Sequence, residues 1–215
     1  MPIDLPHWFV QRFAAPRLAP YVHAAQRDGV SARSLYIWNL QTAGAFYIPL
    51  HCLEICLRNA MHEQLTIKFG QPCWWLVAEL DEHDRAKIDK TRIDLGRKGI
   101  RKPTADDIVA ELSFGFWLSL LSRRYDRRLW VPALHKAFPN YPNDRARLHD
   151  NVQAMVLFRN RIMHHEPIHH RHLAADHAKI YLLLSYIEPE LPTFLRTIDR
   201  VPQALALRPK RAAHA

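Results

Sequence analysis

One stripe of apolar residues constrains this chain more than any other feature. Leu50, Leu53, Leu57, Met61 and Leu65 recur at helical spacing inside an apolar-rich segment that runs from Leu35 to Phe69. Steps of three and four residues line one face of an α-helix, and such a face has to be buried. Pro49 should kink or divide the segment, and Gly70-Gln71-Pro72 should end it. Within the most apolar part, Leu35 to Leu57, the chain is interrupted by Asn39, Gln41, Pro49, His51 and Glu54. A membrane span needs about 18 or more largely uninterrupted apolar residues. The pattern therefore predicts a buried helix, with no membrane partner.

The remainder reads as helical too. Six glycines and few alternating β-branched runs leave little material for a large sheet. Asp28-Gly29 closes a first short helix, and Ser31 can cap the next. Residues 74–80 predict a turn of helix, 83–95 a charged helix, and 96–103 a basic loop. Thr104 with Asp107 resembles a capping box with Asp in place of Glu, starting a helix through Leu121 that Gly115 weakens. Further helices are expected over 126–137, 144–165 and 172–187, with a short one near 192–200. The fold class is all-α, a single helical bundle. Residues 1–201 form its one domain, and 202–215, with Arg208-Pro209-Lys210-Arg211, form a basic tail expected to be disordered. A chain of 215 residues that is 48% hydrophobic can bury a core of this kind without disulfides or metals.

Thirty Lys+Arg against 21 Asp+Glu leave a net charge of +9, which favours a polyanionic partner, nucleic acid before anionic lipid. Cys52 and Cys56 would share a helix face without disulfide geometry, and Cys73 would be left over. That usage suits a reducing compartment. The opening Met1-Pro2-Ile3-Asp4-Leu5-Pro6-His7 lacks a basic stretch followed by an apolar core, so a cytoplasmic location is expected.

The segment Phe158-Arg159-Asn160-Arg161-Ile162-Met163-His164-His165-Glu166-Pro167 carries the chemistry. Pro167 disfavours helical geometry at Glu166, so the helix should finish at about His165. Asn160 and His164 are four apart and share a face, while Arg159 lies about 140° around the helix, with a side chain long enough to reach the same pocket. This set suits metal-independent RNA cleavage. A histidine can move a proton at the ribose 2′-OH or the leaving oxygen. An arginine supplies a fixed forked cation beside the phosphate, and an asparagine can orient either group. The same residues near a helix C-terminus are also favourable through the helix dipole and the free carbonyls alone.

Arg159-Asn160-x-x-x-His164 resembles the R-x4–6-H motif of the HEPN superfamily, and its flank is similar to the Abi-like (abortive infection) branch. Leu35-Tyr36-x-Trp38-Asn39 and Leu53-Glu54-Ile55-x-Leu57-Arg58-Asn59-Ala60-x-His62 resemble the N-terminal helices of Abi-like proteins, which end in an element like Gly70 to Trp75. Glu111 to Trp117 is close to the family's central Leu-Ser-Phe-Gly-x-Trp segment. Together the blocks span about 36–167. The resemblance implies a bundle of the HEPN type, a homodimer whose motif helices form a composite site, and a metal-independent endoribonuclease without cofactor. Its role would be as a toxin or in antiphage defence, with an antitoxin or defence-system partner. It also admits a non-catalytic RNA-binding or signalling module. Carried over, Arg159 would stabilise the phosphate, His164 would act as acid or base and Asn160 would position them. His165 also satisfies the spacing, and the sequence does not choose between the two.

Around that centre, Glu54 and Arg58 are one turn apart and suit a buried ion pair that fixes helix register. With Asn59 they could instead support the Arg159/His164 pocket or contact RNA. Arg97, Lys98, Arg101 and Lys102 are candidates for RNA backbone contact or an ordinary solvated loop, and the Arg123–Arg128 run has the same two readings. Trp74, Trp75, Phe114, Phe116 and Trp117 could stack bases but suit a core better. His164, His165, His169, His170, His172 and His177 invite a metal, yet Pro167 breaks the helical spacing and no Cys lies close, so no metal site is expected.

Overall fold

The computed structural model describes residues 4–142 and 144–211, and among them it is all-helical with no strand. The helices are α1 (His7–Phe13), α2 (Ala15–Asp28), α3 (Ala32–Ala45), α4 (Tyr47–Phe69), α5 (Glu82–Arg97), α6 (Ala105–Glu111), α7 (Phe114–Leu120), α8 (Arg145–Met163), α9 (Leu173–Ile187), α10 (Leu191–Arg196) and α11 (Val201–Ala206). The stripe Leu50, Leu53, Leu57, Met61 and Leu65 is buried along its whole length. It makes α4 the central strut, packed against α9, α7 and α3. Pro49 lies in the first turn of α4. Its missing N–H is no loss there, because the first helical N–H groups have no intrahelical partner. The division falls at Phe46, which is fully buried with its ring 4.9 Å edge-on from Phe158.

Local signals set most of the boundaries. Ser31 accepts from the Ser34 N–H, and Thr104 and Asp107 close a reciprocal capping box. Gly29 and Gly70 end α2 and α4 at φ 65° and 69°, a region where a side chain would be strained. No helix is long and apolar enough to cross a membrane among the described residues.

Three expectations are corrected. The helix from Thr104 through Leu121 is two, because Leu112 is extended and Ser113 caps α7 by accepting from the Phe116 N–H. Residues 126–137 are not an α-helix but a π turn (Asp126–Trp130) and a 3-10 turn (Leu134–Ala137), with Pro132 between them. The tail beginning at Pro202 is helical in its first part. Pro202 stands in the first turn of α11, the Trp38 indole N–H donates to the Ala204 carbonyl at 2.7 Å, and the Arg208 guanidinium sits 5.1 Å from the Trp38 ring. The last part of that tail, residues 212–215, lies outside the described residues.

A second anchor is ionic. Asp84 of α5 is fully buried and accepts from Lys87 Nζ, Ser119 Oγ, Arg124 Nη2 and Tyr125 Oη at 2.7–2.9 Å. Arg124 and Arg128 also meet Asp81, at 3.2 and 2.9 Å. The basic run at 123–128 therefore spends two of its guanidinium groups on holding α5 to the turn after α7. Trp74, Trp75, Phe114, Phe116 and Trp117 are all buried core.

Candidate active site at the end of helix α8

Leu148, Val152, Met155, Phe158 and Ile162 seat α8 in the core, leaving Arg159 and Asn160 half-buried at the edge of that face and Met163 exposed. The helix ends at Met163, with His164 as its C-cap, two residues short of the expected end at His165. Its ending is a Schellman motif. The Glu166 N–H donates to the Arg161 carbonyl at 2.8 Å, and the His165 N–H to the Ile162 carbonyl at 2.9 Å. This geometry puts His165 in the left-handed region at φ 58°, a place usually filled by glycine.

A Cβ in that conformation costs roughly 1–2 kcal/mol, part of which glycine gives back through its greater freedom when unfolded. His165→Gly is therefore expected to raise stability by about 0.5–1 kcal/mol in urea denaturation, with His165→Ala unchanged. Equal stability of all three proteins would show that the turn stores no strain at this residue.

The chain leaving α8 is tied down. Arg17 of α2 donates to the His165 carbonyl. Asn39 Oδ1, buried on α3, accepts from the N–H groups of Ile168 at 2.8 Å and His169 at 3.0 Å. His164 and His165 themselves are exposed.

Arg159 meets α4. Its Nε lies 3.2 Å from Glu54 Oε2, and its Nη1 lies 3.5 Å from Asn160 Oδ1. With Tyr47, Leu50, His51 and Met163, Glu54 and Arg159 line a cavity of about 160 Å³. The Glu54–Arg58 pair expected from helical spacing is not formed. Arg58 donates instead to the Ala110 carbonyl of α6 at 3.0 Å and to Asn59 Oδ1 at 3.3 Å, and neither Arg58 nor Asn59 lines the cavity at Arg159. In the basic loop, Arg97 pairs with Asp94 at 3.0 Å and Lys98 with Glu111 at 2.6 Å. Arg101 and Lys102 are exposed, with no ion pair among the described residues.

The histidines that cluster in sequence disperse in space. His169 is buried, its ring 5.0 Å from Tyr21. Burial, with His170 and Arg208 nearby, pushes its pKa down to about 4. His170 Nε2 is 2.9 Å from Arg161 Nη1, and burial followed by the charges of Arg161 and Arg171 lowers its pKa. His172 caps α9 through its Nδ1, and His177 meets Asp199. Among the described residues, no three His, Cys, Asp or Glu side chains converge as a metal site would require. The three cysteines are free.

Tyr47 and His51 were not singled out from the sequence, where His51 counted only as an interruption of an apolar run. A signal was present: residues 47, 51 and 54 follow helical spacing and form a polar row beside the leucine stripe. Compared with protein-family models, with curated proteins and with solved structures, the chain matches none.

Proposed function

We propose that this protein is a metal-independent endoribonuclease of the HEPN type, close to the Abi-like family, acting in the cytoplasm as a toxin or in antiphage defence. The observation that carries the reading is the position of Arg159. Its guanidinium is held by Glu54 at the wall of a surface cavity, five and six residues before two exposed histidines. There it can neutralise a phosphate whose charge grows as the ribose 2′-OH attacks. His164 or His165 moves a proton, Asn160 steadies the guanidinium, and the products are a 2′,3′-cyclic phosphate and a 5′-hydroxyl. Arg101 and Lys102 serve as backbone contacts for the RNA. Homodimerisation through α8 would cover Leu157, which is 60% exposed on that helix.

The test is RNA cleavage in EDTA by wild type, Arg159→Ala and His164→Ala, each shown to be folded. Wild type is expected to cleave and leave cyclic phosphate ends, with both variants at least about 10²-fold slower. A folded wild type that binds RNA, keeps that binding in both variants and never cleaves would instead identify a non-catalytic RNA-binding or signalling module.

A further inference from the structure

The imidazole that shares a cavity with Arg159 is not one of the two that follow it in sequence. His51 lines that cavity together with Tyr47, Leu50, Glu54, Arg159 and Met163, whereas His164 and His165 stand past the end of α8. Helical spacing explains the arrangement. His51 is one turn from Glu54, which holds Arg159, and one turn from Tyr47, whose ring stacks on the imidazole at 5.9 Å with the planes 16° apart. The stacking limits the rotamers of an otherwise exposed side chain.

We propose that His51 is a second catalytic residue, one of two proton-transfer groups that act on an RNA phosphate bound at Arg159. The inference rests on the ribonuclease reading above. RNA transesterification needs two proton movements. One group accepts the 2′-OH proton as the O2′–P bond forms. The other donates a proton to the 5′-oxygen as the P–O5′ bond breaks, with the electron pair leaving on that oxygen. His51 performs one transfer from α4, and the histidine at the end of α8 performs the other. The cavity of about 160 Å³ has room for a phosphate group. The attacking ribose and the leaving nucleoside then lie on opposite sides of it, toward different helices. Tyr47, 54% exposed, offers its open face to the base on the α4 side.

The experiment is the pH–rate profile for cleavage of a defined RNA in EDTA by wild type, His51→Ala, His51→Gln and His83→Ala, the last an exposed imidazole on α5. Thermal unfolding of each variant accompanies the rates. Wild type and His83→Ala should share a bell-shaped profile. Both His51 variants should be about 10²-fold slower, and each should lose one limb of the bell. Which limb is lost tells whether His51 is the acid or the base. A substrate carrying sulfur at the bridging 5′ position makes an independent check, since a thiolate leaves without a proton. That substrate should restore a His51→Ala enzyme that lost the acid and leave unrescued one that lost the base. Cleavage by both His51 variants at the wild-type rate with an intact bell overturns the proposal and leaves the ribonuclease reading standing. Absence of cleavage by wild type overturns both.

Discussion

Asp84→Ala is expected to lower the free energy of unfolding by about 3–5 kcal/mol, the range for removing one partner from a buried charged network. The carboxylate is fully buried and accepts four hydrogen bonds, from α5 itself, α7 and the turn that follows it. Without it, Lys87 loses its counter-charge and the Tyr125 hydroxyl its acceptor, while Arg124 is left with Asp81 alone and Ser119 with the Phe116 carbonyl. Burial would push the Asp84 pKa up, but hydrogen bonds from Lys87, Ser119 and Tyr125 outweigh it and hold the carboxyl below its usual value. A depressed folded-state pKa means that the stabilisation is present above the unfolded value of about 3.9 and is lost as pH falls below it. Urea denaturation at pH 7 should therefore show the full difference between wild type and variant, and the gap should narrow below about pH 4. Asp84→Asn, which keeps the shape but not the charge, should fall between them. A variant within about 1 kcal/mol of wild type at pH 7 would mean that desolvation of the carboxylate cancels what its bonds supply.

The second large effect separates activity from stability. Arg159→Ala is expected to slow RNA cleavage by about 10²–10³-fold, the range for removing a fixed donor from a developing negative charge. Its stability should change by less than about 1 kcal/mol, since the Arg159 and Glu54 side chains are 35% and 20% exposed and partly exposed pairs contribute little. Arg159→Lys keeps the charge and loses the planar fork, so it should recover only part of the rate. Wild-type cleavage by Arg159→Ala would remove this residue from the site. A stability loss as large as that of Asp84→Ala would make Arg159 a structural tie between α4 and α8.

Much of the bundle was legible because its signals are local. The leucine stripe of α4, the Ser31 cap, the Thr104/Asp107 box and the stops at Gly29 and Gly70 each depend on residues a few positions apart. Where the structure departs from the helical pattern, a competing local signal stands in the sequence. Ser113 is an N-cap residue in its own right, though without the reciprocal bond of the Thr104 box, and it splits 105–120 into α6 and α7. Pro202, read as the start of a disordered tail, occupies a first-turn position that favours helix.

The site was legible only in part. Arg159, Asn160 and the histidines stand together in the sequence. Glu54, however, has two arginines it could meet, and helical spacing pointed to Arg58. The fold brings α8 alongside instead, while the Ala110 carbonyl takes Arg58. His51 could be placed beside Arg159 only once the packing of α4 and α8 was known.

The bonds that tie down the exit from α8 also determine when that end of the molecule can exist. Arg17 meets His165 across 148 positions, Asn39 meets Ile168 across 129, and Trp38 meets Ala204 across 166. Contacts of such long range make a helical protein fold more slowly than one built from neighbouring hairpins, because large loops must close before any reward is collected. Together these bonds act as a clasp between α2 and α3 on one side and the segments after α8 on the other. A polypeptide still emerging from the ribosome carries α4 and its leucine stripe well before it carries Ile168 and His169, so the turn at His165 is anchored only after that segment has been made.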